Sequence, residues 1–286
     1  MTGPLVTLRR VVELLEAGGP FVQGTVVAAG VGAVASAGHR FAWRDGHDLE
    51  GATGDEAIDL AVARLAGAAL VNEAPSESCI ASDGARLALR RRLRDHDAAP
   101  GSLEVAWLPH VPQERLAIVG AGHVAVPLCA LAATVGYAVT VIDDRERFAT
   151  AARFPGAHEV LVRDFGMAID AIGITPWTSV VLVTRGHEHD ERCLAQVVSS
   201  TARYVGMIGS RRRVKVVYGR LCDAGVPAGA LERIHAPIGL DLGGRSPEEI
   251  ALAILAEIVL ARRGGTGERL SGRRNPGIRR SAGVRD

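Results

Sequence analysis

Two rhythms of apolar and polar residues run along this chain, one irregular and one regular. In the first, apolar positions from Leu5 to Leu15 recur at helical spacing and stop at Gly18-Gly19. Phe21 to Ala28 reads as a strand, and His39 to Arg44 as another, closed by a turn at Asp45-Gly46. Glu56 to Ala69 places Ile58, Val62 and Leu65 along one helical face, and Arg86 to Arg94 alternates apolar and basic residues as an edge strand does. These elements predict a small α/β domain over residues 1–112, with Pro100-Gly101 and the Pro109 to Pro112 segment punctuating its end as a linker.

The second rhythm is regular. Arg115 to Val119 is a short apolar run entering a glycine loop, Val124 to Val135 is a helix stopped by Gly136, and Ala138 to Ile142 is the next strand. Further strands are expected at Glu159–Val162, Ser179–Val183 and Arg203–Ile208, with helical stretches between them. Near-continuous Val/Ile/Leu runs alternating with helices predict a parallel sheet covered by helices on both faces, a Rossmann-like domain over residues 113–263. Its last helix opens with Ser246 as cap, Pro247 at the first position and Glu249 completing a capping box. Residues 264–286 are rich in Gly and Arg and nearly free of apolar residues, which predicts a disordered tail.

Composition narrows the function classes. Hydrophobic residues make up 48% of the chain, enough for a real core, and no uncharged apolar run reaches the roughly eighteen residues of a membrane span. Met1-Thr2-Gly3-Pro4 leads into no basic and apolar leader, so a cytoplasmic protein is expected. A net charge of +1 gives no global pull toward nucleic acid. The four cysteines (Cys79, Cys129, Cys193, Cys222) form no close pair, against both a disulfide framework and a structural zinc site.

The chemistry points to the glycine loop Gly120-Ala121-Gly122-His123-Val124-Ala125. Turning at Gly120 and Gly122 lets backbone N–H groups approach a phosphate at the positive end of the following helix. His123 stands beside that phosphate position as the helix begins. Asp143, about twenty residues on at the end of the next strand, is where such folds bind ribose hydroxyls. Two more unusual segments also follow strands: Thr184-Arg185-Gly186-His187-Glu188-His189-Asp190 and Gly209-Ser210-Arg211-Arg212-Arg213. In an open parallel sheet these loops share one edge, so they are expected to converge with the glycine loop on a composite site. Three arginines in a first helical turn oppose its dipole by about 0.3–1 kcal/mol each when exposed, and a bound anion would reverse that sign. Successive helical side chains diverge, so one or two of the three are expected to face the site. His187, His189 and Asp190 are open to reading as a metal pair, a general base or polar loop residues; two imidazoles alone make no zinc site, so no metal is expected. The glycine-rich segment Pro237-Ile238-Gly239-Leu240-Asp241-Leu242-Gly243-Gly244, with Gly239 and Asp241 as its candidate site residues, either closes over the site or is a tight connection. Cys193 reads as a buried, inert thiol.

Several of these segments together resemble the XdhC/CoxI family of molybdenum-hydroxylase accessory proteins. The resemblance rests on Ile118–His123, Val141-Ile142-Asp143-Asp144-Arg145, Thr184–Asp190, Tyr204–Ser210, and Pro237–Asp241 followed by Ser246–Ala251. It implies a factor that binds the molybdenum cofactor, as molybdopterin or its cytosine dinucleotide form. Such a factor delivers the cofactor to apo xanthine dehydrogenase or carbon monoxide dehydrogenase. A cysteine desulfurase is a further implied partner, and a homodimer a plausible state. Gly120, Gly122, His123, Asp143, His187, Asp190, Ser210, Arg211, Arg212, Gly239 and Asp241 would then form the cofactor site. NAD(P) fits the same elements, so an NAD(P)-dependent oxidoreductase is the alternative, and a scaffold with an empty Rossmann domain is a third. The chain departs from the family in its first domain. There the family shows Gly-Gly-Cys-x-Glu, whereas Gly51-Ala52-Thr53-Gly54-Asp55-Glu56 keeps the glutamate without the cysteine. Cys79 is a substitute that nothing in its neighbouring sequence supports.

Overall fold

A computed structural model of the chain describes residues 6–87 and 99–272, and all of His187 but its side chain. The chain forms two compact units, Met1–Pro112 and Gln113–Asp286.

The first unit contains α1 (Leu8–Glu16), β1 (Phe21–Ala29), β2 (Arg40–Trp43), α2 (Glu56–Asn72), β3 (Ser76–Ile80), β4 (Arg86–Leu87) and β5 (Leu103–His110). Its strands make an antiparallel sheet in the order β2-β1-β5-β3-β4. Ile58, Val62, Leu65 and Ala69 of α2 pack with Val22, Val26, Phe41, Val105 and Trp107 of the sheet. The linker expected from Pro100 onward is corrected here, because Leu103–His110 is the central strand. Leu103, Val105 and Trp107 alternate inward with a period of two, and Pro109, which can donate no ladder hydrogen bond, falls near its end. β3 was likewise not foreseen. Only Arg86–Leu87 of the expected edge strand lies within the described residues.

The second unit runs β6 (Arg115–Val119), α3 (Ala125–Thr134), β7 (Ala138–Asp143), β8 (Glu159–Val162), α4 (Ala168–Ile172), β9 (Thr178–Leu182), α5 (His187–Val197), β10 (Tyr204–Met207), α6 (Arg211–Asp223), α7 (Ala228–Leu231), β11 (Ile234–His235) and α8 (Pro247–Arg263). The six strands are all parallel, in the order β11-β10-β9-β6-β7-β8. Alternation of side chains sorts the core into two. Leu116, Ile118, Val139, Val141 and Val181 meet α3 and α8 on one face. Ala117, Val119, Ile142, Val180 and Leu182 meet α4, α5 and α6 on the other. The chain proceeds from β6 to β7 and β8 on one side, then crosses to β9 on the other, so the topological switch point lies between β6 and β9.

The capping box of α8 is present in full: the Ser246 hydroxyl accepts from Glu249 N–H, and the Glu249 carboxylate accepts from Ser246 N–H. Arg262 and Arg263 lie in the last turn, where they favour the helix dipole, and Gly264 ends the helix in a left-handed conformation. Ser246→Ala is expected to destabilise this unit by about 1 kcal/mol, read as a lower urea midpoint at unchanged slope. The expected disordered tail is only partly open to description: Leu270–Gly272 forms a single 3₁₀ turn, and residues 273–286 lie outside the described residues. Among the described residues no helix is long and apolar enough to cross a membrane.

Candidate functional site

β6 ends at Val119 and the chain turns at Gly120, whose φ of +111° is open to glycine and strained for other residues. A Cβ on Gly120 would stand 2.6 Å from the Val183 carbonyl oxygen, just beyond β9. The two loops at the switch point are therefore in contact through this glycine. Gly122 differs. A Cβ added there meets nothing within 4 Å, so its missing side chain leaves open space beside the first turn of α3. The leading N–H groups of a helix have no intrahelical acceptor, and they favour a negative charge at this end. His123 is exposed beside them.

Asp143 was expected to meet ribose, and the structure corrects that role. Its side chain is wholly buried. One oxygen accepts from Ala121 N–H at 2.7 Å and from Arg145 Nη2, and the other from Arg145 N–H and Nε at 3.0 and 2.8 Å. Burial opposes ionisation of this carboxyl, but the Arg145 guanidinium and the two backbone N–H groups outweigh it and hold the pKa at about 2. Asp143 thus anchors the glycine loop from beneath. Asp144, the next residue, pairs with Arg185 of the β9 loop.

Asp190 is corrected in the same way. It is fully buried, takes the Thr184 hydroxyl at 2.5 Å and pairs with Arg213. Arg213 also reaches the Thr184 carbonyl, so this network joins the β9 loop, α5 and α6. Of the three arginines opening α6, Arg213 turns inward, while Arg211 and Arg212 are exposed at the helix start. Ser210 caps that helix, accepting from Arg213 N–H. His187 is the first residue of α5, at the same edge; its side chain lies outside the described residues. His189 packs its ring on Phe165, the centroids 4.7 Å apart.

Gly239 and Asp241 follow β11. Ile238 N–H donates to the carbonyl of Met207 at the carboxyl end of β10, so the segment leaves the sheet at this same edge, beyond β10 from the glycine loop, and turns onto α8. Gly239 N–H donates to Glu257 of α8, which also accepts from the Tyr204 hydroxyl at the amino end of β10. The adjoining Leu240 lines an apolar groove with Val135, beyond the far end of α3 from the glycine loop. The Pro237–Asp241 segment is therefore a connection packed on α8. Asp241 is exposed there.

Sequence reasoning gave no role to three arginines at the loop. Arg145 and Arg185 neutralise the paired acids at the end of β7. Arg153 donates to the Ala121 carbonyl at 2.9 Å and the Phe148 carbonyl at 2.7 Å, with its guanidinium near the Phe148 ring. Arg145 had a local signal, two residues from Asp143; Arg153 and Arg185 had none, since their partners depend on strand order.

Thiols are absent from this edge among the described residues. Cys129 and Cys193 are buried, and burial, with Asp190 and Asp164 nearby, pushes the Cys193 thiol up to about 12, as an inert thiol requires. In the first unit Cys79 is buried in β3 and its thiol is raised by burial and by Glu104. The Gly51–Glu56 segment is closed on itself. Asp55 caps α2, and Asp59 accepts from Thr53 N–H, the Thr53 hydroxyl and Gly54 N–H. Among the described residues no three His, Cys, Asp or Glu side chains gather to hold a metal ion.

Residues 116–258 match the family model described as the XdhC Rossmann domain. The uncharacterised YqeB protein of Escherichia coli is 31% identical over 160 residues, 56% of this chain and 29% of that protein. A Bacillus subtilis protein named as a probable subunit of xanthine dehydrogenase is 32% identical over 152 residues, 53% of this chain and 44% of its own length. The chain thus spans less than half the length of these curated relatives. A crystal structure from Bacillus halodurans described as a xanthine dehydrogenase is similar at a TM-score of 0.49 and 18% identity, over 88% of this chain and 96% of that one. With the glycine loop, nearly all of the sheet and the capped start of α8 inside a match that takes in half of its residues, the chain belongs to the XdhC family.

Proposed function

We propose that this chain is an accessory factor that holds the molybdenum cofactor in its Rossmann unit and hands it to a molybdenum hydroxylase of the xanthine dehydrogenase kind. The observation that carries the reading is the open space at Gly122 beside the free N–H groups of α3. Molybdopterin ends in a phosphate, and that space suits one. Gly122 and His123 N–H groups would take the phosphate, and the exposed Arg211 and Arg212 would supply cations from the neighbouring helix start. No thiol stands at this edge among the described residues, so this chain grips its cargo by the phosphate and not by the metal. When bound, the cofactor carries the molybdenum on which the client's hydroxylation depends; this chain's residues bind and release it. Family membership and the name borne by the Bacillus subtilis relative support a dehydrogenase client.

An NAD(P)-dependent oxidoreductase is less well supported. The carboxylate that would receive a ribose is consumed by Arg145 and the glycine loop. Calorimetric titration of the apo protein with molybdenum cofactor, NAD and NADP separates the two. Measurable affinity for the cofactor with negligible heat from either nicotinamide nucleotide is expected. Tight NAD(P) binding without cofactor binding would move the assignment to redox chemistry.

A further inference from the structure

Two arginine–carboxylate pairs stand at the carboxyl end of β7, one buried and one at the surface. The surface pair joins Arg185 to Asp144 through two hydrogen bonds, Nη1 to Oδ1 at 3.1 Å and Nη2 to Oδ2 at 2.8 Å. Asp144 is the first residue after β7, and Arg185 is three residues beyond β9. β6 lies between those two strands, so the pair connects the segments on either side of the glycine loop's own strand. A dinucleotide on a sheet of this kind lies along the same strand ends, with its pyrophosphate at the glycine loop and one nucleoside to each side. The nucleoside beyond β7 needs an acceptor for its ribose, and both acids there are committed: Asp143 to Arg145 and Ala121, Asp144 to Arg185.

We propose that the Asp144–Arg185 pair closes the β7 side of the crevice and selects a compact ligand ending in one phosphate over one that continues through a pyrophosphate into a second nucleoside. This rests on the reading that the glycine loop binds the phosphate of a pterin cofactor, and it names the form of that cofactor. Asp144 and Arg185 are specificity-determining residues in this account. Admitting the longer ligand means opening a two-bonded ion pair and leaving its ribose without a carboxylate. The pair is partly exposed, so the discrimination it provides is modest, about tenfold.

The test is calorimetric titration of the full chain with molybdopterin and, separately, with its cytosine dinucleotide form. Molybdopterin is expected to bind about tenfold tighter. Asp144→Ala opens the pair from one side and Arg185→Met from the other, and each is expected to bring the ratio of affinities toward one. Arg185→Lys keeps a cation opposite Asp144 and is expected to keep the ratio. Removing a carboxylate strengthens the binding of every anion, so the ratio and not either affinity is the readout. A wild-type ratio at or below one overturns the proposal, as does a ratio that neither opening variant moves. If neither compound binds the wild-type chain, the phosphate-site reading itself fails and takes the proposal with it.

Discussion

Gly120→Ala is expected to destabilise the Rossmann unit by about 3 kcal/mol, while Gly122→Val is expected to change stability by less than about 0.5 kcal/mol and to abolish ligand binding. The two glycines stand two residues apart and do different work. At Gly120 a side chain meets two penalties at once. A φ of +111° is strained for any residue with a Cβ, and that Cβ would stand 2.6 Å from a backbone oxygen and 2.8 Å from its carbon, neither of which can swing aside. At Gly122 the same atom meets open space, so the first carbon of a side chain is accommodated there. What a valine would obstruct is an incoming phosphate seeking the N–H groups of α3. Thermal melts followed by circular dichroism should place Gly120→Ala about 6–12 °C below wild type for a unit of this size, with Gly122→Val unchanged. Calorimetry with molybdenum cofactor should show binding lost in Gly122→Val. Undiminished affinity in that variant would remove the loop from the site; a wild-type melt for Gly120→Ala would remove the steric argument.

Most of the Rossmann unit was legible because its signals are local. The apolar runs of β6, β7 and β9, the glycine turn and the capping box at Ser246 each lie within a few consecutive residues, and each appeared where expected. Elements with weak local signals were passed over. β11 has only two residues, Ile234 and His235, and β3 begins with the exposed Ser76 and Glu77. β5 alternates as a strand should, but proline and glycine on both flanks suggested a linker.

The site was legible in position more than in role. That loops after β6, β7, β9 and β10 share one edge follows from parallel topology, and the segment after the short β11 leaves the sheet at that edge too. Whether Gly239 and Asp241 cover a ligand was not legible, because a glycine-rich stretch before a helix reads the same whether it does so or packs on α8, and the Glu257 contact that draws Gly239 to α8 is eighteen residues away. Acids at or beyond strand ends were read as ligand groups, yet Asp143 at the end of β7 and Asp190 in α5 face inward to arginines. Which way an aspartate turns depends on what cation the fold brings against it. Arg213 reaches Asp190 from a different helix, and no spacing rule anticipates that.

Asp143→Asn is expected to lower stability by roughly 2–3 kcal/mol at neutral pH, with the deficit shrinking on acidification. Asp143 supports four donors from the glycine loop and Arg145, and a neutral amide with one acceptor oxygen cannot serve both sets. The substitution also leaves the Arg145 guanidinium, itself largely covered, without its nearest counter-charge. The pH dependence follows from the sign of the shift. The folded pKa of about 2 lies below the ordinary 3.8, so the ionised carboxylate stabilises the fold fully above about pH 4. That contribution fades as pH falls from about 4 toward 2, in wild type only, because asparagine does not titrate. Urea unfolding of both proteins at pH 7 and near pH 3 should therefore show a gap that narrows in acid. Loosening the anchor beneath Ala121 should also weaken ligand binding by about tenfold, since the N–H groups of the next turn lose their fixed aim. Equal stability of variant and wild type at pH 7 would mean that the loop holds itself without Asp143. A gap that stays constant from pH 7 to pH 3 would mean that Asp143 acts through its shape and not its charge.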